Sequence, residues 1–374
     1  MSKILVYGAG YQARLVVVQR QLQNERIDAI IVTDPSQNPT DLAGVPVYPV
    51  DDFISVRDEV TVLIGVTERF IPEIMEILER KGFSKIELPC VKLMEKKYFP
   101  NVSDQDFLAA WYFVRTGEIL DWNHLVTYNE KLQWIKLHTD MHMTELADKV
   151  RVRSWIQHII GEQYLIPIYG VWNSIQEIDF SILPDSFVLK CNHGSGYNYI
   201  VKDKDRVDYQ KLEDLFGRWM ATDYSDEAGM ELQYKNIERH VYAEEYLGND
   251  SELLDYKFFV FHGMVRIIQV DINRFSNHER ALFTPDWQPL SEGIQYPIGD
   301  SNKIAKPMML DRMIGIAETL GKEFVHVRVD LYFIHEKIYF GEMTFTHGSG
   351  IETFSSKEFA EQMGGWIRLP EDKE

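Results

Sequence analysis

The chain of 374 residues has two cysteines, Cys90 and Cys191, too few for a disulfide framework or a four-thiolate zinc site. It is also short of positive charge. Its 39 Lys and Arg stand against 58 Asp and Glu, a formal net charge of −19 at pH 7. Such a balance repels a phosphate backbone at long range, so no nucleic-acid partner is expected. No apolar run reaches the length of a membrane span, and the four apolar residues Ile4 to Tyr7 after Lys3 are too few for a signal-peptide core. A soluble chain in a reducing cytoplasm is the expectation. What the sequence does have is 45% hydrophobic residues, enough to bury two or three cores.

The apolar pattern changes along the chain. Residues 1–100 alternate strands at Lys3 to Tyr7, Asp28 to Thr33, Thr61 to Val66 and near Lys85 to Leu88 with helices at Gln12 to Gln23 and Phe70 to Lys81. Strands separated by helices imply a small, Rossmann-like parallel sheet. A boundary is expected at Phe99-Pro100-Asn101. Residues 101–185 read as mainly helical, with Ser103 capping one helix, Asn129 opening a second and Gly161 closing a run from Thr144 to Ile160. Strands return in 186–250 and 251–374, including Phe187 to Lys190, Arg239 to Leu247, His326 to Ile334 and Lys337 to Met343. A Tyr256 to Asp271 hairpin turns at His262-Gly263. That half is expected to be α+β with mixed, largely antiparallel sheets.

Two stretches carry chemistry. Gly8-Ala9-Gly10-Tyr11-Gln12-Ala13 is a G-x-G-x-x-A turn between a strand and a helix, and Asp34 follows the second strand. The glycines allow close backbone approach, the helix N-terminus favours an anion, and Asp34 suits ribose hydroxyls. A tight turn that serves packing alone is the plainer reading. Near the C-terminus, Arg328 and Asp330 share one face of a strand. A three-residue turn at His335 to Lys337 puts Asp330 opposite Glu342. Two carboxylates about 5 Å apart across a ladder repel unless something positive lies between them, and a hard divalent cation would serve. Arg328 suits a phosphate oxygen or a developing oxyanion. Asn192-His193-Gly194-Ser195-Gly196 lies between strands rather than before a helix, so it is not a P-loop, although its amides and Lys190 suit phosphates.

With these motifs in place, two resemblances follow. The segments KILVYGAGYQAR, GVPVYPVDDF (Gly44 to Phe53) and VLIGVTERFIPEIMEILERKGF (Val62 to Phe83) resemble the N-terminal domain of PglD-like sugar-nucleotide acyltransferases. That resemblance implies a nucleotide or nucleotide-sugar ligand near Gly8, Gly10 and Asp34; Tyr11-Gln12 replaces the Gly-His usual in those relatives. From about Phe107 to Pro370, the motifs LADKVRVRSWIQHIIGEQYLIPIYGVW, FVLKCNHGSG, DYKFFVF, VRVDLY and IYFGEMTFTHGSG resemble the TupA-like ATP-grasp proteins of teichuronopeptide and surface-polysaccharide synthesis. The cofactors so implied are ATP and Mg²⁺. Lys149 and Lys190 match the nucleotide-binding lysines, Gly194, Ser195 and Gly196 the phosphate-covering loop, and Glu244, Glu245 and Leu247 the adenine-reading hinge. Asp330, Glu342 and Thr344 match the metal ligands, Thr344 standing where most ATP-grasp enzymes have Asn. His347 stands where Pro is expected.

The resemblance implies a carboxylate–amine ligase working through an acyl phosphate, with a uronic acid or UDP-sugar as carboxylate and an amino acid or small amino alcohol as amine. Arg328, Lys257 and Arg274 are the expected catalytic and substrate-holding residues. An ATP-grasp kinase acting on a sugar hydroxyl, an NAD(P)-dependent oxidoreductase using residues 1–100 and a non-catalytic sugar-nucleotide sensor are the alternatives. His138 and His142, at i and i+4, read as exposed helix residues rather than metal ligands. Cys191 reads as a packed residue rather than a nucleophile.

Overall fold

The computed structural model describes residues 3–248, 254–272 and 277–370. The chain divides after Asn123 into two compact units. The first comprises β1 (Lys3–Tyr7), α1 (Tyr11–Leu22), β2 (Ala29–Val32), β3 (Asp41–Leu42), β4 (Val45–Pro49), β5 (Val60–Ile64), α2 (Ile71–Arg80), β6 (Ile86–Glu87) and α3 (Asp104–Thr116). The sheet order is β3-β4-β2-β1-β5-β6. All pairs are parallel except the β3–β4 hairpin. Val6, Ile30 and Leu63 pack towards α1 and α3, whereas Leu5, Tyr7, Ile31, Val62 and Ile64 pack on the opposite side with Leu78 of α2. Helices on both faces are why these strands read as unbroken apolar runs.

The β3–β4 hairpin is not expected from sequence, because Pro46 and Pro49 interrupt the strand pattern. Helix α3 belongs to the first unit, so the division falls after Asn123 and not at Pro100. Ser103 caps α3, accepting from the Asp106 amide at 3.0 Å, and the Arg14 guanidinium of α1 donates to the Val114 carbonyl at 3.1 Å.

The second unit opens with α4 (Tyr128–Leu137), α5 (Met141–Ala147) and α6 (Val152–Ile159). Its first cap is Thr127 in a capping box with Glu130, two residues before the expected Asn129. The expected single run from Thr144 is two helices. Asp148 breaks it, because its Oδ1 accepts from the amides of Val150 (2.9 Å) and Arg151 (3.2 Å) and restarts the helix.

Two antiparallel sheets follow. The four-stranded sheet holds β7 (Ile168–Trp172), β8 (Phe187–Cys191), β9 (Asn198–Val201) and β10 (Val241–Glu245) in the order β7-β10-β8-β9, with α7 (Tyr209–Ala221) and α8 (Tyr224–Glu227) between β9 and β10. The five-stranded sheet holds β11 (Leu254–Phe261), β12 (Met264–Ile272), β13 (Glu279–Phe283), β14 (His326–Ile334) and β15 (Lys337–Thr344), with α9 (Leu310–Gly321) before β14 and α10 (Lys357–Gly365) after β15. Its order is β13-β12-β11-β14-β15.

Alternation along the strands sorts this sheet into two faces. Phe258, Val260, Val327, Val329 and Met343 join Met313, Ile316 and Leu320 of α9 in the main core. The other face carries Lys257, Arg328, Asp330, Glu342 and Thr344. On the hydrophobic scale such a face is costly to bury, so its charges must be paired within the fold.

Candidate active site

The register between β14 and β15 sets the centre of the site. The turn has two residues, His335 (φ 50°) and Glu336 (φ 60°), so Ile334 pairs with Lys337 rather than with Ile338. A bulge at Gly341 then shifts the ladder by one, and Asp330 lies opposite Glu342. The expected pairing therefore holds, although by a shorter turn plus a bulge instead of a three-residue turn. Gly341 fits because a Cβ there would approach the Asp330 carbonyl oxygen to 3.1 Å.

A protein cation, Arg328, lies against both carboxylates. Its Nε donates to Asp330 Oδ1 at 2.7 Å and its Nη2 to Oδ2 at 2.8 Å, a two-pronged fork. The same Nη2 reaches Glu342 Oε1 at 3.3 Å and Thr344 Oγ1 at 3.1 Å. Burial alone would lower the Arg328 pKa, but Asp330 and Glu342 raise it above its ordinary value. Lys257, which pairs across the ladder with Asp330, donates to Asp330 Oδ2 at 2.9 Å and also binds Asp255. Its side chain is 6% exposed, so the expected substrate-holding role meets a lysine enclosed between carboxylates. Arg274 lies outside the described residues.

Lys149 joins this centre to the glycine loop. Placed at the break between α5 and α6, its Nζ donates to the Gly194 carbonyl at 2.7 Å and lies 3.3 Å from Glu342 Oε2. Burial would raise the Glu342 pKa, but Lys149, Arg328 and Lys257 outweigh it and hold it at about 2. Gly194 is buried under Tyr224, whose Cδ2 would stand 2.8 Å from a Cβ, while Ser195 and Gly196 form the exposed tip of the loop. Lys190 on β8 pairs with Glu244 on β10. On β10, burial first and then Glu244 and Glu342 raise the Tyr242 pKa well above its ordinary value. Beyond Glu244 the Glu245 amide donates to the Pro167 carbonyl at 2.9 Å, and Leu247 follows, half-buried.

The loop after β15 packs on the same sheet, His347 meeting Phe259, the ladder partner of Arg328, with ring centroids 5.0 Å apart. Gly348, Ser349 and Gly350 are all left-handed, with φ of 54°, 54° and 63°. Ser349, the one that is not glycine, is held because its Oγ accepts from the buried Lys136 Nζ at 2.8 Å. His347 is buried, its Nε2 3.2 Å from Glu352 Oε2. Burial first, then the nearby Arg328, Arg280 and Lys257, push its pKa well below the ordinary imidazole range, so the ring is neutral at pH 7.

The structure thus brings Lys149, Gly194, Lys257, Arg328, Asp330, Glu342 and Thr344 together, with Lys190 and Glu244 on the adjoining sheet. Sequence reasoning missed Asp148, Asp255 and Glu231, and took Asn192 only as the start of the glycine loop. Asp148 and Asn192 flank the two expected lysines, which was the available signal. Glu231, whose pKa burial raises to about 7, is bonded by the Thr346 hydroxyl, and nothing local in the sequence pointed to it. Gly8, Gly10 and Asp34 lie in the first unit, at the carboxyl ends of the adjacent strands β1 and β2. Gly8 has φ 110° and no room for a Cβ, which would meet the Gly65 carbonyl oxygen at 2.7 Å; Gly10 has open space. Asp34 accepts from the Ser36 amide at 2.9 Å.

His138 and His142 are not on one helix: His138 stacks on Trp134 at 3.6 Å, and His142 lies 3.7 Å from Glu323. Burial pushes the Cys191 thiol up to about 12, which removes it as a nucleophile at neutral pH. Among the described residues no helix is long and apolar enough to cross a membrane.

Mg²⁺ usually takes one or two protein carboxylates and completes its shell with water and phosphate oxygens. Asp330, Glu342 and Thr344 offer such hard donors on one face, and 27% of the Glu342 side chain is exposed against 3% for Asp330. The donor set fits. Among the described residues there is no group of three or more His, Cys, Asp or Glu to hold a metal unaided.

A family model described as TupA-like ATPgrasp matches residues 130–368, which makes the chain an ATP-grasp enzyme. Within that class, the chain belongs to the TupA-like ATP-grasp family. Among solved structures it is similar to an ATP-complexed D-alanine–D-alanine ligase from Bacillus anthracis (14% identity, 92% of this chain and 86% of that one, TM-score 0.33). An L-amino acid ligase from Bacillus licheniformis is similar at 13% identity (93% and 70%, TM-score 0.35). A D-alanine–D-alanine ligase from Helicobacter pylori follows at 10% (99% and 100%, TM-score 0.33). No curated protein matches the sequence.

Proposed function

We propose that the protein is an ATP-dependent carboxylate–amine ligase that forms an amide through an acyl phosphate. The observation that carries this reading is the Asp330–Glu342 pair, held face to face by Arg328 and joined to the glycine loop by Lys149. Phosphoryl transfer needs positioning and charge neutralisation more than covalent help from the protein, and this cluster supplies both. In the proposed reaction a carboxylate oxygen attacks the γ-phosphorus and ADP leaves. The amine nitrogen then attacks the acyl carbon, the C–O bond to phosphate breaks, and the nitrogen gives up a proton.

Lys149 and Lys190 hold the phosphates, with Gly194, Ser195 and Gly196 covering them. Glu244, Glu245 and Leu247 border the adenine. Arg328 faces the oxygens on which charge develops, where a preformed donor in a dry site counts most. Asp330, Glu342 and Thr344 are the residues that would hold Mg²⁺, which when bound offsets the charge of the terminal phosphates.

For the substrates, the reading is a uronic acid, free, UDP-linked or in a glycan, joined to an amino acid or small amino alcohol in cytoplasmic surface-polysaccharide synthesis. The first unit supports a sugar-nucleotide partner, since Gly8, Gly10 and Asp34 sit at the carboxyl ends of parallel strands, where such sheets bind nucleotides. The test is an ADP-release screen that pairs UDP-linked uronic acids with amines and identifies products by mass spectrometry. ADP formation that needs both partners supports the ligase. A sugar gaining one phosphate with no amine incorporated turns the assignment to a kinase, and NADH absorbance changes with a hydroxy substrate turn it to an oxidoreductase.

A further inference from the structure

Asn192 is fully buried, and its side chain has no part in the phosphate, adenine or metal assignments above. It stands two residues after Lys190 and two before Gly194, where β8 gives way to the glycine loop. Every polar group it has is engaged. Its Nδ2 donates to Asp148 Oδ1 at 2.9 Å and to the Glu238 carbonyl at 2.8 Å, and its Oδ1 accepts from the His240 amide at 2.7 Å. Its backbone amide donates to the His240 carbonyl at 3.1 Å, and its carbonyl accepts from the Lys149 amide at 3.3 Å.

These five bonds join three separate pieces of chain. Asp148 and Lys149 form the break between α5 and α6, Glu238 and His240 lead into β10, and Asn192 begins the loop. Asp148 is itself committed, because the same Oδ1 starts α6. Lys149 is therefore fixed at its backbone by Asn192, while its Nζ reaches Gly194 within the loop that Asn192 opens. The Asn192 side chain, through Asp148, and its carbonyl, through the Lys149 amide, together set the spacing between the lysine and the loop. An apolar residue here would leave the His240 amide and the Glu238 carbonyl without their partner in a dry place, which the fold relieves by shifting those segments.

We propose that Asn192 is a positioning residue for triphosphate recognition, holding Lys149 and the Gly194–Gly196 loop at the separation that nucleotide phosphates require. The proposal rests on the ATP-binding reading above, and it makes a distinction that general destabilisation does not. The Asn192 clasp bonds Asp148 and Lys149 directly and meets β10 only ahead of its start, through Glu238 and His240, with no bond to Glu244, Glu245 or Leu247, the residues assigned to adenine. Losing it weakens binding of the phosphates and leaves binding of the nucleoside alone.

The experiment is calorimetric titration of the full chain with MgATP and, separately, with adenosine, for the wild type and Asn192→Ala, after circular dichroism and a thermal melt confirm that the variant is folded. Wild-type protein that fails to bind MgATP overturns the ATP reading itself. If the wild type binds, the expected result is MgATP affinity lower by about 10-fold or more in Asn192→Ala with adenosine affinity changed by less than about 2-fold. Parallel weakening of both ligands, or no weakening of either, overturns the positioning role. Asn192→Ser replaces the amide by a shorter hydroxyl and gives the same comparison should the alanine variant not fold; the same split supports the proposal, and its absence ends it.

Discussion

Arg328 grips Asp330 with both arms of its guanidinium, at 2.7 and 2.8 Å, from two residues away on the same strand. Glu342, opposite on the next strand, is within 3.3 Å of the same group. The like-charge repulsion expected between the two carboxylates is thus relieved inside the chain, before any ligand arrives. Lysine cannot reproduce this, since it offers a point charge and no planar fork. Arg328→Lys is expected to lower ATP turnover about 100-fold or more while the fold persists, measured as ADP release alongside a thermal melt.

Glu342 is stabilised in its charged form, so removing that charge weakens the protein. A group held at about 2 against an ordinary value of 4.5 contributes stability that is present above pH 4.5 and is lost as pH falls towards 2. Glu342→Gln should cost on the order of 1–3 kcal/mol at pH 7, and the gap to wild type should shrink in urea unfolding at pH 3. A glutamine variant more stable than wild type at pH 7 would show that the pair is strained instead.

Lys257 lies between Asp255 and Asp330, bonded to both. Burial lowers its pKa, but the two carboxylates outweigh that and leave it raised above 10.5. Its stabilising contribution is full below that value and is lost only as pH rises through the folded pKa, so it does not titrate between pH 5 and 9. Lys257→Met leaves buried carboxylates without their cation and should cost about 3–5 kcal/mol in urea unfolding. A variant of normal stability with a raised KM for the carboxylate would restore the substrate-holding role.

The first unit separates two readings of its glycine turn. Gly8→Ala puts a Cβ against the Gly65 carbonyl at positive φ and should destabilise by about 1–3 kcal/mol with no ligand present. Gly10 has open space, so Gly10→Val should fold normally and lose affinity only for a nucleotide or nucleotide-sugar, measured by calorimetry with UDP-sugars. Unchanged affinity there would leave the turn a packing element.

Much of this was legible in the sequence because it depends on local pattern. The strand His326 to Ile334 was read to the residue, since its alternation is uninterrupted. The hairpin turn was misjudged by one residue, and the Gly341 bulge compensated, so the Asp330–Glu342 pairing came out as expected for a different reason. A bulge has no local signature beyond a glycine. What stayed hidden was long-range: the Lys149–Glu342 contact spans the second unit, and Asn192 gains its meaning only from partners at 148, 238 and 240. The helix break at Asp148 was missed because the apolar period continues across it.

The central claim is the acyl phosphate, and oxygen labelling tests it most directly. A UDP-linked uronic acid carrying ¹⁸O in its carboxylate is incubated with the enzyme, MgATP and a mixture of amino acids, and the inorganic phosphate released is analysed by mass spectrometry. The ligase account predicts one ¹⁸O in the phosphate for each amide formed, because the attacking carboxylate oxygen leaves with the phosphoryl group. Amide formed with unlabelled phosphate, or label that stays wholly on a phosphorylated sugar, would contradict it.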